Sequence, residues 1–293
     1  LFKVVRRLQE KGIAIIFISH RMEEIFKLTD RVSVLRDGNY IITADTKSID
    51  AETLIRHMIN RQMTTYYPER HATFGEVALE IRHFYLKDGY IKDVNLQVRK
   101  GEILGLGGLV GAGRTEVARG IVGADPLQAG QVFVNGKEVT IKNPRDALEY
   151  GIVYLPEDRK NYGLHLNRTI KDNLSFPSLK EISHFGLIDN KREKVLSNKQ
   201  IQSLKIKTPS DEQKVKNLSG GNQQKVVVGK WLAKEPEIMI FDEPTRGIDV
   251  GVKYDIYCIM EELAAQGKAI IMISSEMPEL IGMADRIVVM HEG

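Results

Sequence analysis

Residues 102–115 read EILGLGGLVGAGRT, an apolar strand from Glu102 to Leu106 that runs into Gly108-Leu-Val-Gly-Ala-Gly-Arg-Thr115. Gly108, Gly113 and Thr115 fall on the phosphate-loop pattern G-x-x-x-x-G-K-[ST], with Arg114 where that pattern has Lys. The residue types suit the chemistry. A backbone of Gly108, Gly111, Ala112 and Gly113 can curl its N–H groups around phosphate oxygens, and the helix that follows turns its positive end toward them. Thr115 offers a hydroxyl to Mg²⁺. Arg114 is planar and larger than the compact ammonium of Lys, so the exchange is not neutral.

Two further stretches belong with this loop. Glu237 to Phe241 is apolar and ends in Asp242-Glu243-Pro244-Thr245. A buried strand ending in two acids sets carboxylates at the carboxyl edge of a parallel sheet, where α/β proteins bind ligands. Asp242 is expected to hold Mg²⁺ and Glu243 to polarise an attacking water. Between loop and acids lies Leu218-Ser-Gly-Gly-Asn-Gln-Gln-Lys225, the start of a helix expected to continue through Trp231 with Ser219 as its cap.

Taken in this order, the three stretches resemble ABC transporter ATPases. LSGGNQQK looks like their signature, IMIFDEPT like their Walker B strand, and Gly247-Ile248-Asp249 like the end of their D-loop. The resemblance implies an α/β fold of the P-loop NTPase, ABC ATPase type, a mixed sheet core with a helical signature subdomain. It also implies that ATP lies between two such domains. Ser219, Gly220 and Gly221 would then contact nucleotide held by the phosphate loop of a first domain, His20 would be that site's switch histidine, and Asp249, of the D-loop, would be cofactor-binding. The pattern is departed from at three positions: Arg114 for the Walker lysine, Ser275 for the switch histidine, and Glu157 for the Q-loop glutamine. These bear on hydrolysis more than on binding, because the cradle, Thr115, Asp242 and Glu243 remain. Tyr85 is a candidate to stack on adenine, with Tyr90 as its rival.

A repeat sets the boundaries. Ile15–Gly38 and Ile270–Gly293 match at an offset of 255, with ten of 24 positions identical, Ser19/Ser274, Glu24/Glu279 and Asp30/Asp285 among them. Each copy reads as strand, polar turn, short helix and strand. Residues 1–70 are therefore expected to end one nucleotide-binding domain, 71–77 to link, and 78–293 to form most of a second. A helix is expected over 48–61, capped by Ser48 or Asp50, with Leu54, Ile55, Met58 and Ile59 on one face. The chain opens on Leu1 in a helical pattern, as a fragment would.

Composition narrows the partners. A net charge of +3 over 293 residues gives no electrostatic case for nucleic acid. No apolar run approaches the ~20 residues that span a bilayer. The single cysteine, Cys258, cannot form an internal disulfide, which suits a reducing cytosol. GLVGAGRTE, PEDRK, LSGGNQQK and DEPTRGIDVG together resemble the second domain of fused ATPases that energise monosaccharide import. The partners implied are membrane permease subunits at the cytoplasmic face, a second ABC domain in cis and, indirectly, a periplasmic or extracellular sugar-binding protein. ATP and Mg²⁺ are the implied cofactors, and the isolated chain is expected to turn over ATP poorly. The competing readings are a nucleoside importer, a non-transport ABC protein and a regulatory nucleotide-binding module.

Overall fold

The computed structural model describes residues 2–19, 22–36, 38–58, 67–71 and 73–293. Contacts divide it into two compact units, Leu1–Tyr66 with Asp249–Tyr254, and Tyr67–Ile248 with Asp255–Gly293. Among the described residues no helix is long and apolar enough to cross a membrane.

The first unit contains α1 (Phe2–Glu10), α2 (Met22–Leu28), an antiparallel pair β1 (Arg31–Arg36) and β2 (Asn39–Asp45), and α3 (Ala51–Met58). Ile25, Val34 and Leu54 form its small core, against which Met22, Phe26 and Met58 pack. Asp50 caps α3, its carboxylate accepting the Thr53 N–H at 2.7 Å; Ile59 lies outside the described residues. The strand expected over Ile15 to Ile18 is not formed: residues 13–19 have no ladder, and Ile16 and Ile18 are each 93% exposed. A β-branched run becomes a strand only when backbone partners face it.

The second unit begins with an antiparallel layer, β3 (Val77–Leu86) and β4 (Val94–Arg99), then β5 (Ile103–Gly108), α4 (Arg114–Ile121), β6 (Leu127–Val134), β7 (Lys137–Val139), α5 (Pro144–Glu149) and β8 (Ile152–Leu155). A helical part follows: α6 (Ile170–Ser175), a short hairpin of β9 (Ser183–His184) and β10 (Leu187–Ile188), α7 (Asn190–Ser203) and α8 (Gly220–Leu232). The chain then returns through β11 (Ile238–Asp242), α9 (Val250–Ala265), whose residues up to Tyr254 are grouped with the first unit, β12 (Ala269–Ile273), α10 (Met277–Met283) and β13 (Arg286–Met290). Arg70, read above as the last residue of the first domain, and Gly75, read as linker, both pack on this unit. Arg70 donates to Asp285 at 2.9 Å and to the Gly101 carbonyl at 3.2 Å, and pairs with Glu261. The Gly75 N–H reaches the Lys100 carbonyl at 2.8 Å.

Five strands form a parallel sheet in the order β13-β5-β12-β11-β8, and four form an antiparallel sheet in the order β4-β3-β6-β7. β11 and β12 are buried along their whole length, which is why both read as unbroken apolar runs rather than alternating ones. One core joins the sheets: Leu79, Ile81 and Phe84 of β3, Leu104 and Leu106 of β5, Val117 and Ile121 of α4, Ile240 and Ile271. Because β5 and β11 run parallel with only β12 between them, the loop after Gly108 and the acids after Phe241 leave the sheet at the same edge.

Candidate nucleotide site

The loop between β5 and α4 is built for backbone exposure. Gly113 precedes α4 at φ 98°, and a Cβ there would lie 2.6 Å from the Ile91 side chain. A Cβ on Gly108 would meet the Met290 carbonyl oxygen at 2.6 Å. Only glycine fits either position without displacing its neighbours. The hydroxyl of Tyr90 donates to the carbonyl of Gly111. Tyr85 instead lies half-buried in β3, opposite Ala129 of β6. Of the two tyrosines, Tyr90 is the one that touches the loop.

Thr115 and Asp242 meet. The Thr115 hydroxyl donates to Asp242 Oδ2 at 2.9 Å, and the phenol of Tyr154, from β8, donates to the same oxygen at 2.8 Å. Asp242 is 1% exposed, and its Oδ1 is buried with no hydrogen-bond partner. Burial pushes the Asp242 carboxyl above its ordinary range, against the pull of the two hydroxyls and of Arg114. Burial, followed by the charge of Asp242, likewise drives the Tyr154 phenol far upward, so it stays a protonated donor.

An orphaned buried carboxylate oxygen beside a hydroxyl is a donor set that suits a hard cation. Among the described residues no group of three or more His, Cys, Asp or Glu could hold a metal ion alone. Mg²⁺ is commonly held by one or two protein oxygens, with phosphates and waters completing the octahedron.

Glu243 follows at φ 46°, a left-handed conformation that costs a non-glycine residue about 1–2 kcal/mol. Its N–H is held by the Ile273 carbonyl at 2.9 Å. Its carboxylate accepts from Ser275 at 3.2 Å and lies 3.7 Å from Arg114. Burial pushes it above the usual glutamate range, with Ser275 and Arg114 opposing. Arg114 is itself buried and donates to the Ser274 carbonyl at 2.6 Å. The residue in the Walker-lysine position, the residue in the switch position and the second acid thus form one contiguous group.

Glu157 lies apart from this group and pairs with Arg246. The Arg159 guanidinium donates to the carbonyls of Arg246 at 3.0 Å and Gly247 at 3.3 Å. Ser219 caps α8 as expected from sequence, accepting from the Asn222 N–H at 3.5 Å and its side-chain amide at 3.0 Å. A Cβ on Gly220 would lie 2.9 Å from Arg159 Nη2, and Gly221 is buried. Among the described residues no hydrogen bond ties Ser219, Gly220 or Gly221 to the phosphate loop. The Asp249 carbonyl accepts the N–H groups of Val252 and Lys253, both at 2.9 Å, at the start of α9. His20 lies outside the described residues.

Sequence reading missed three partners. One is Tyr154, whose signal was a phenol in a buried strand, which needs a hydrogen-bond partner. The second is the backbone carbonyl that receives Arg114. The third is Glu279, 2% exposed, whose carboxylate accepts the hydroxyls of Thr245 at 2.6 Å, Tyr257 at 2.7 Å and Ser274 at 2.9 Å.

Beside Thr115 a cavity of about 420 Å³ opens, lined by Arg119, Pro144, Leu148, Tyr154, Glu157, Tyr162 and Trp231 among others.

Comparison with known proteins agrees with this geometry. The chain is 50% identical over 293 residues to the ribose import ATP-binding protein RbsA of Lactococcus lactis subsp. lactis (strain IL1403), and 46% identical to RbsA of Bacillus subtilis (strain 168). All of this chain is covered in both matches, but it spans only 59% of the length of each relative. In fold it is similar to the ADP conformation of an ATP-binding cassette of an ABC transporter. That match has a TM-score of 0.63 at 24% identity and covers 75% of this chain and 89% of the other. The family description "ABC transporter" matches residues 91–246, just over half of the chain and the stretch that holds the phosphate loop, the α8 cap and both acids. The chain belongs to the ABC transporter family.

Proposed function

We propose that this chain binds MgATP as part of an ATPase that energises import of a monosaccharide, of the ribose and galactose type, through membrane permease subunits. The observation that carries the reading is the convergence of Thr115 and Tyr154 on Asp242, whose second oxygen is left without a partner beside a glycine loop and Glu243. The N–H groups of Gly108, Gly111, Ala112 and Gly113 would hold phosphate oxygens, and Thr115 and Asp242 would hold Mg²⁺. Bound there, Mg²⁺ supplies neutralisation of phosphate charge. Glu243, buried and with its proton affinity raised, would orient and polarise water. Arg114 already donates to the Ser274 carbonyl and faces Glu243, so phosphate would compete with these two partners for its charge. With Ser275 in the switch position, this site is better equipped to bind nucleotide than to turn it over.

In this reading residues 1–70 end a first nucleotide-binding domain, 71–77 join the two, and 78–293 form most of the second. Ser219, Gly220, Gly221, His20 and Asp249 act on nucleotide held by the first domain's loop. The assembly works at the cytoplasmic face of the membrane, fed indirectly by a sugar-binding protein. The cavity beside Thr115 offers a permease segment a seat in contact with Tyr154 and Glu157.

Equilibrium titration with a fluorescent ATP analogue tests the reading. Gly113→Asp should lower affinity at least ~100-fold, since a side chain at φ 98° and 2.6 Å from Ile91 deforms the loop and adds negative charge. Ser219→Arg should leave the affinity of this chain unchanged, yet remove ATPase activity and sugar uptake from the two-domain protein. Equal binding by wild type and Gly113→Asp would rule out the loop as the site. Full activity in the two-domain Ser219→Arg protein would rule out the shared-site arrangement.

A further inference from the structure

We infer that Tyr154 is a positioning residue for metal binding, its phenol holding the Asp242 carboxylate in the orientation that leaves Oδ1 open for a cation. The inference rests on the reading of Thr115 and Asp242 as the Mg²⁺ ligands of a nucleotide site.

The geometry is specific. A carboxylate on a single hydrogen bond can still turn about its Cβ–Cγ bond. Two donors arriving from different elements at one oxygen fix its plane. Asp242 has two such donors on Oδ2, Thr115 from α4 at 2.9 Å and Tyr154 from β8 at 2.8 Å, and none on Oδ1. The two donors are not equivalent. Thr115 has a second task in the proposed site, since its hydroxyl oxygen is itself a metal ligand. Tyr154 has none, and its register is set by the sheet: Tyr154 pairs with Ile240 of β11, two residues before Asp242. The phenol is therefore carried to Asp242 by two hydrogen-bonded parallel strands, the most rigid support the fold provides. The ring of the same residue lines the cavity beside Thr115, so one side chain borders both that cavity and the metal-holding carboxylate.

Leucine or phenylalanine would satisfy the packing of a buried strand. A phenol there adds only an O–H, and that O–H is spent on Asp242. The expected signature is a defect in metal response with nucleotide contacts intact. Tyr154→Phe keeps the ring and deletes the donor.

The experiment is a Mg²⁺ titration of fluorescent ATP analogue binding, in wild type and in Tyr154→Phe, with a parallel measurement in EDTA. Half-saturating Mg²⁺ should rise about tenfold, the scale of one hydrogen bond to a charged group. Affinity in EDTA should stay within about twofold. Incorporation of 4-aminophenylalanine at position 154 restores a weaker donor and should recover part of the metal response. It also supplies the comparison with wild type if Tyr154→Phe folds poorly. Unchanged Mg²⁺ dependence in Tyr154→Phe overturns the inference. So does an equal loss of affinity with and without metal, which would mark a packing role. If wild-type binding itself ignores Mg²⁺, the metal reading of Thr115 and Asp242 fails, and this inference with it. A wild type that responds to Mg²⁺ beside an equally responsive Tyr154→Phe defeats this inference alone.

Discussion

Residues 13–19 and β12 are the same segment one repeat apart, and they reach opposite states. In β12, Ile271 and Ile273 are each 1% exposed, with β5 on one side and β11 on the other. Their counterparts Ile16 and Ile18 are each 93% exposed and carry no ladder. What differs is the supply of backbone partners, not the side chains. The turn after each segment behaves differently again. Ser19 donates to Glu24 at 2.8 Å, and Ser274 donates to Glu279 at 2.9 Å. A contact spanning five residues needs no distant strand, so it recurs in both surroundings. The comparison separates what a segment carries with it from what the fold lends it.

The largest effect should appear at the two glutamates. Glu279 accepts three buried hydroxyls from three different segments, so Glu279→Ala strands all of them. At roughly 1–3 kcal/mol for each orphaned buried group, the cost should be about 3 kcal/mol or more. Glu24→Ala, in a part-buried local turn, should cost about 1 kcal/mol or less. Urea unfolding followed by Trp231 fluorescence reports the second unit, and far-UV circular dichroism the chain as a whole. Equal losses in the two variants would mean that Glu279 gains nothing from its distant partners. A smaller effect of the same form is expected in the strands. Ile271→Ala should cost about 2–5 kcal/mol by opening a cavity between packed layers. Ile16→Ala should stay within about 0.5 kcal/mol, as for an exposed side chain. A cost above ~2 kcal/mol for Ile16→Ala would show that this segment is buried in solution.

The same distinction accounts for what could be read from the amino-acid order. The phosphate loop, the cap Ser219, the acids at the end of β11 and the cap of α3 are each written within a run of a few residues, and their spacing announces them. The α/β class followed from the unbroken apolar runs that became β11 and β12. The closing contacts of the site were not legible. Tyr154 and Asp242 are 88 positions apart, and Arg114 and the Ser274 carbonyl are 160 apart. Nothing in the spacing of either pair announces contact, because the sheet order β5-β12-β11-β8 brings them together only after every crossover is complete. The strand expected over Ile15 to Ile18 failed for the converse reason: its pattern was sound, but no strand among the described residues pairs with it.

The smallest effect sharpens the difference between the two copies at the switch position, His20 against Ser275. Ser275 supplies Glu243 with a neutral hydroxyl, and Glu243 keeps a proton affinity raised by burial above the ordinary value of 4.5. The folded chain therefore binds this proton more tightly than the unfolded chain does, so stability falls as pH rises from the ordinary value through the raised one. Below that window both states are protonated and the penalty vanishes. Glu243→Gln removes the ionisation, and should stabilise the protein at pH 7.5 by the ~0.5–2 kcal/mol typical of relieving a single functional-site conflict. At pH 4 the gain should fall toward zero. Asp242, also raised, is present in both proteins, and its charge is one cause of the Glu243 shift, so part of the gain reports relief of that repulsion. Ser275→His, which gives the second copy the first copy's residue, should shrink the gain at mildly acidic pH, where a protonated imidazole can offset the carboxylate charge. Urea unfolding of the four proteins across pH 4–8 measures these differences. A stabilisation by Glu243→Gln of the same size at pH 4 and pH 7.5 would show that it comes from hydrogen bonds of the new amide at position 243 and not from the buried charge.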